Sequence, residues 1–166
     1  MYTTTLVSPV GALTLASDGN ALTGLWLADQ KYHGAGLPAH TEAKNDLPVF
    51  LMTKQWLDSY FAGGKPAVSA LPLNPLGSAF RQGVWDILRA IPSGGTTTYG
   101  AIAREMAARM GLSGMSAQAV GGAVGHNPIS IIIPCHRVLG ANGSLTGYAG
   151  GVEAKRFLLA LEGAVY

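Results

Sequence analysis

An α+β protein is predicted by three observations. Apolar and polar residues alternate in the first third of the chain, helical periodicity dominates the second half, and a Pro- and Gly-rich break separates the two patterns. The break is Leu71-Pro72-Leu73-Asn74-Pro75-Leu76-Gly77-Ser78. It divides the chain into a small α/β domain at 1–73, a linker at 74–77 and a mostly helical domain at 78–166. With 166 residues, 48% of them hydrophobic, the chain can bury a core as one domain or two small ones.

Strands are expected at 3–7, 12–16 and 21–27, joined by Ser8-Pro9-Val10-Gly11 and Asp18-Gly19-Asn20, which carry the residues that turns require. A helix over 47–62 follows, with Phe50, Trp56, Leu57, Tyr60 and Phe61 along one face. Past the break, Ser78 caps a helix through Phe80, Val84, Trp85, Leu88 and Ile91, and Pro92 stops it. Thr96-Thr97-Thr98 cap a second helix over 99–110, ended by Gly111, and a loop at 112–115 leads to a third over 116–125. Two short helices around a glycine-containing turn form a helix-turn-helix pattern, common on its own. The run Ile131-Ile132-Ile133 reads as a buried strand that Pro134 ends.

The third helix is unusual, because each interior glycine of Ala117-Gln118-Ala119-Val120-Gly121-Gly122-Ala123-Val124-Gly125 costs about 1 kcal/mol relative to alanine. Two compensations compete: close packing against another element, or a smooth face that enters a DNA minor groove about 6 Å wide.

Composition narrows the function classes. No apolar run reaches the roughly 18 residues of a membrane span, and the first residues lack the basic-then-apolar pattern of a signal segment, so a cytoplasmic protein is expected. Charge is unevenly spread. Residues 1–77 carry four lysines against five acids, net −1, while residues 78–166 carry six arginines and one lysine against four acids, net +3. Arginines confined to the second half suit phosphate contacts, although +3 is a small footprint for a nucleic-acid binder. His33 and His40 have no cysteine partners, so no metal is expected.

The chemistry concentrates at Pro134-Cys135-His136-Arg137-Val138, where the chain's one cysteine directly precedes a histidine. A lone cysteine is ordinarily a small buried hydrophobe. Here a general base stands next to it, and a thiolate nucleophile needs such a base or a positive field. Successive side chains on a strand point to opposite faces, so His136 can serve Cys135 only if the backbone turns just after Ile133.

Asn127-Pro128, the isoleucine run, Pro134-Cys135-His136-Arg137-Val138, Gly147-Tyr148-Ala149-Gly150-Gly151 and Leu158-Leu159-Ala160-Leu161-Glu162-Gly163 together resemble, in order and spacing, the O⁶-alkylguanine-DNA alkyltransferases. The likeness runs over roughly residues 78–163 and continues more weakly towards the N-terminus. It implies a ribonuclease-H-like first domain and a helix-turn-helix, winged-helix-like second one that enters the minor groove of double-stranded DNA containing O⁶-alkylguanine. The resemblance also implies single-turnover alkyl transfer to Cys135, with no cofactor and no obligate protein partner.

By the same resemblance His136 is the base, acting through a bridging water, and Glu162 orients it. An acid near a helix C-terminus is slightly disfavoured by the helix dipole, which agrees with a functional reason for Glu162. Tyr99 crowds the phosphate beside the flipped nucleotide and donates to the leaving guanine. Asn127 fixes the turn before the nucleophile, the Cys135 and Val138 carbonyls and the Ala149 amide read the base edge, and Tyr148 forms a pocket wall. Gly100, Ala117, Gln118, Ala119, Gly121 and Gly122 face DNA.

Gln118 stands where the family inserts an arginine into the vacated stack, and the segment 106–115 is longer than the family's turn, which puts Arg109 in the neighbourhood as a substitute. Gln118 leaves open a self-labelling variant with weakened DNA binding. A lesion sensor that binds alkylguanine without repairing it is the rival class, although sensors replace the cysteine that this chain keeps. A cysteine hydrolase has no oxyanion-hole motif to support it.

Overall fold

The computed structural model describes residues 1–145 and 147–166. Strands β1 (Tyr2–Ser8), β2 (Gly11–Ser17) and β3 (Leu22–Leu27) form an antiparallel meander, and the two-residue β4 (Glu42–Ala43) adds in parallel to β1, giving the order β3-β2-β1-β4. Helix α1 (Pro48–Phe61) buries Val49, Phe50, Thr53, Trp56, Leu57 and Tyr60. β1, β2, β3 and α1 agree with the sequence to within a residue or two, whereas β4 was not expected.

β3 is buried along its whole length. Its free edge explains why. Leu22 donates to the Pro72 carbonyl and Asn74 to that of Leu22, while farther along Leu25 donates to Pro128 O and accepts from Ser130 N. Chain from 72–74 and from 128–130 thus covers an edge that would otherwise invite pairing with another molecule. The hydrophobic core runs continuously through residues of both halves.

The second half contains α2 (Ala79–Arg89), α3 (Tyr99–Met110), α4 (Ala117–Gly125) and α5 (Val152–Leu161), with β5 (Thr97–Thr98) paired in parallel to β6 (Val138–Leu139). Ser78, Thr98 and Ser116 cap α2, α3 and α4, each side chain accepting from the amide three residues on. Gly111 closes α3 in the left-handed conformation, φ 68°. Helix α2 stops at Arg89, two residues short of the expected Ile91. The Trp85 indole donates to the Ala123 carbonyl at 2.9 Å, which fixes the depth at which α4 packs on α2.

The isoleucine run is not a strand. Ile131 has φ +70°, Ile132 donates to Ser130 O, Ile133 to Ile129 O and Cys135 to Ile133 O, so the backbone satisfies itself in successive turns. Burial on all sides produces the same apolar run that a central strand would. Positive φ at a β-branched residue costs roughly 1–3 kcal/mol. The Asn127 side chain holds this arrangement, donating to Ile133 O at 2.8 Å and Ile129 O at 3.4 Å and accepting from Ile129 N at 3.0 Å. Among the described residues no helix is long and apolar enough to cross a membrane.

Candidate active site

The turns that replace the expected strand put Cys135 and His136 on one short helical turn rather than on successive positions of an extended strand. Pro134 leads into a single 3₁₀ turn over Cys135–Arg137, so Cys135, His136 and Arg137 fan out of one tight bend. Cys135 is 5% exposed and lines a cavity of about 610 Å³, together with Tyr99, Gln118, Gly121, Gly122, Tyr148 and Ala149. His136 and Glu162 lie behind it in the interior, 0% and 1% exposed at their side chains.

Glu162 is the hub of this buried layer. Its Oε2 meets His136 Nε2 at 2.6 Å and accepts from the Tyr60 hydroxyl at 2.6 Å and Arg137 Nη2 at 3.1 Å. Its Oε1 accepts from Arg137 Nε at 2.7 Å, and Arg137 Nη1 donates to the Ile91 carbonyl at 2.6 Å. Burial alone would raise the Glu162 pKa, but the donors from His136 and Arg137 outweigh it and hold the carboxyl well below the usual carboxylate range. The group is therefore an ionised acceptor, and His136 Nε2 must carry the proton of that contact. Nδ1, buried and without a hydrogen-bond partner among the described residues, keeps its lone pair.

Electrostatics set the resting state of both partners. Burial pushes the Cys135 thiol above its ordinary value, against weaker contrary pulls from Asn127, Lys155 and Tyr148. Burial also lowers the His136 pKa, more than Glu162 raises it. The pair rests as thiol and neutral imidazole, an arrangement that suits general-base activation better than a standing thiolate.

Behind the cavity Lys155, 0% exposed, donates to the Val138 carbonyl at 2.5 Å and the Gly147 carbonyl at 3.3 Å. It ties α5 to β6 and to the segment that carries Tyr148 and Ala149. Gly150 is required there, because a Cβ would stand 2.7 Å from Tyr148 Cε2 and 3.1 Å from Leu27 Cδ2. Burial raises the Tyr99 hydroxyl pKa, with Cys135 adding to it, and that hydroxyl lies 3.4 Å from Gly147 O.

Val138 is fully buried and lines no part of the cavity, and one lone pair of its carbonyl is taken by Lys155. Asn127 sits under the turn that leads to Cys135 rather than on the cavity. Gly100, at the start of α3, and Ala119, whose amide serves the α4 cap, also lie off the cavity wall.

The α4 face answers why its glycines are there. A Cβ at Gly122 or Gly125 would meet nothing within 4 Å, and at Gly121 only Tyr99 Cδ1 at 3.9 Å, so internal packing does not require them. Gln118 lines the cavity, whereas Arg109 is engaged on α3 with Glu105 at 2.9 Å and does not reach that wall. Among the described residues no cluster of three His, Cys, Asp or Glu side chains could hold a metal ion.

Sequence reasoning missed Arg137, Tyr60 and Lys155 as members of the site. Arg137 gave a signal, since a cation inside an apolar run must find a buried carboxylate. Lys31 and Tyr32, contributed by the first half, also line the cavity and carried no signal.

Two family models cover nearly the whole chain: the ribonuclease-like domain of 6-O-methylguanine DNA methyltransferase matches residues 1–75, and the DNA binding domain of the same family matches residues 79–164. A methylated-DNA–protein-cysteine methyltransferase of Haemophilus influenzae is 45% identical over 166 residues, all of this chain and 88% of the relative. The protein of that name from Mycobacterium tuberculosis is 46% identical over 158 residues, 95% of this chain and 90% of the relative. The crystal structure of Mycobacterium tuberculosis OGT in complex with DNA superposes with a TM-score of 0.83 at 42% identity, covering 98% of this chain and 93% of that one. Two family models that together span nearly the whole chain, a matching architecture and sequence identity along the full chain lead to one conclusion: this chain belongs to the 6-O-methylguanine DNA methyltransferase family.

Proposed function

We propose that this protein repairs DNA by moving the alkyl group of O⁶-alkylguanine onto its own Cys135, once per molecule. The observation that carries the reading is the buried relay behind the thiol, in which an ionised Glu162 fixes the His136 tautomer and leaves Nδ1 bare. His136 takes the thiol proton, through a bridging water by analogy with the family. The sulfur then attacks the alkyl carbon in line, the carbon–O⁶ bond breaks as the carbon–sulfur bond forms, and the proton finally resides on the released guanine. Tyr99 supplies a hydroxyl near the leaving base and Tyr148 a wall. A thioether has no hydrolytic exit here, so the protein is consumed. A lone reactive thiol suits a reducing compartment such as the cytoplasm.

Reaching O⁶ inside a duplex requires rotating the nucleotide out, at a few kcal/mol. The open face of α4, where a Cβ at Gly122 or Gly125 would meet nothing within 4 Å, supports docking in the minor groove, with Gln118 next to the vacated stack. In this assignment residues 78–166 supply the nucleophile and the recognition helix, and residues 1–73 buttress them and complete the site with Lys31 and Tyr32 on the cavity wall and Tyr60 on Glu162. Incubation with duplex DNA containing O⁶-methylguanine is expected to add one methyl group to the peptide that holds Cys135, stopping at one equivalent, and Cys135→Ser to abolish it. Continued turnover, or methylation at another residue, would overturn the mechanism; tight binding to the lesion without transfer would favour the sensor.

A further inference from the structure

The cavity over Cys135 is closed on one side by the first half of the chain, through Lys31 and Tyr32. Their placement is built, not incidental. The Lys31 amide donates to the Ala149 carbonyl at 2.8 Å, so this segment is in register with the loop assigned to the base edge. Tyr32 adopts φ +63°, an uncommon conformation for a residue with a side chain, and stacks on the His126 ring at the end of α4, centroids 3.9 Å apart and planes 20° apart. The Lys31 ammonium is 5.2 Å from the Tyr32 ring centroid, within cation–π range. Among the described residues that line the cavity, Lys31 is the one lysine or arginine, and there is no Asp or Glu. At about 610 Å³ the space falls in the range of drug-sized ligand sites, about 300–1,000 Å³, and exceeds what a purine with one methyl group fills.

We infer that Lys31, positioned by the Tyr32–His126 stack, forms a subsite for the transferred group and selects lesions whose alkyl group ends in a carboxylate, such as O⁶-carboxymethylguanine. The inference rests on the proposed alkyl transfer to Cys135. Bond making is unchanged: the carboxymethyl carbon leaves O⁶ for the Cys135 sulfur and guanine departs with the thiol proton. The carboxylate takes no part in it. A cation beside it lowers the cost of bringing an anionic group into a half-enclosed pocket, where no acid opposes it.

The test uses two duplexes of one sequence, one with O⁶-methylguanine and one with O⁶-carboxymethylguanine, and follows single-turnover transfer to Cys135 by intact mass. Any contact between Lys31 and a phosphate acts equally on both duplexes and cancels in the ratio of their rates. Lys31→Gln should lower the carboxymethyl-to-methyl ratio about fivefold, the scale of a partly exposed charge pair. Lys31→Arg should retain the ratio and Lys31→Glu should depress it further. Thermal unfolding of each variant verifies that the fold is kept. A ratio common to wild type, Lys31→Gln and Lys31→Glu overturns the subsite, as does a wild type that accepts methyl and refuses carboxymethyl. Failure of wild type to transfer methyl at all would instead overturn the alkyl-transfer reading beneath it.

Discussion

The layer behind Cys135 and the face of α4 in front of it differ in almost every physical respect. Behind, Tyr60, His136, Arg137 and Glu162 are buried and share one carboxylate through contacts of 2.6–3.1 Å. In front, Ala117, Gln118 and Ala119 are exposed, and Gly122 has empty space where a Cβ would be. The first region is over-determined, so that removing any member strands a buried charge or donor. The second is held from below by Val120, Ala123 and Val124 and presents little of its own. On the proposed reading, the chemistry is enclosed in a fixed network, and recognition of DNA is left to an accessible surface that can change without unfolding the protein.

The contrast is most severely tested at Glu162. Glu162→Gln keeps the volume and removes the charge that fixes the imidazole and faces Arg137. Transfer should slow about 10²–10⁴-fold, the usual worth of a positioned base, and the fold should lose up to about 3–5 kcal/mol for an uncompensated buried cation. Affinity for duplex DNA should hardly move. Rapid-quench transfer and DNA titration decide it, and an equal loss of affinity would make the network purely structural.

On the front face, Gln118→Arg should speed duplex repair about 10- to 100-fold, since a charge-assisted bond worth roughly 1.5–3 kcal/mol is comparable to the cost of extruding a base. The rate with a free benzylated guanine should stay within about twofold. Equal responses of both substrates would show that Gln118 is not next to the vacated stack.

Gly122→Ala separates the regions by sign. The free space predicts a gain of about 0.5–1 kcal/mol in stability alongside weaker duplex binding, whereas an alanine that destabilised the fold would restore the packing explanation for the glycine.

The smallest effect concerns pH. His136 is held below the usual imidazole value of about 6.5. A base with a lowered pKa stays neutral further into acid, so transfer at pH 6.5 should retain more than about half of its rate at pH 7.5. The same depression makes stability fall as pH drops below the unfolded imidazole's value. Glu162, also depressed, adds a second loss as pH falls below the unfolded carboxyl's value. A rate that halves by pH 6.5 would place the titrating base elsewhere.

Much of this was legible from local pattern. The three strands, the capped helices and the Cys135-His136 pair follow from periodicity, Ser and Thr caps and spacing, which act over a few residues. The isoleucine run was misread, because burial on all sides yields the same apolar string whether the backbone pairs in a sheet or turns on itself, and φ at Ile131 leaves no mark in composition. Tyr60 was read only as one apolar position of a helix face. Its hydroxyl finds Glu162 across 102 residues, a distance over which no local rule reaches. Lys155, read as one of the few basic residues of the second half, is inside, bonded to carbonyls of two different segments.

That long-range bond between Tyr60 and Glu162 also orders events in time. A ribosome delivers the phenol early, the thiol later and the carboxylate later still, so the growing chain carries Cys135 before it carries the carboxylate that bonds His136. Until Glu162 arrives, the imidazole has no fixed tautomer and no carboxylate to stabilise its charged form. The proposed assistance to the thiol therefore depends on both halves of the chain having folded together, because the carboxylate that bonds His136 is also held by Tyr60.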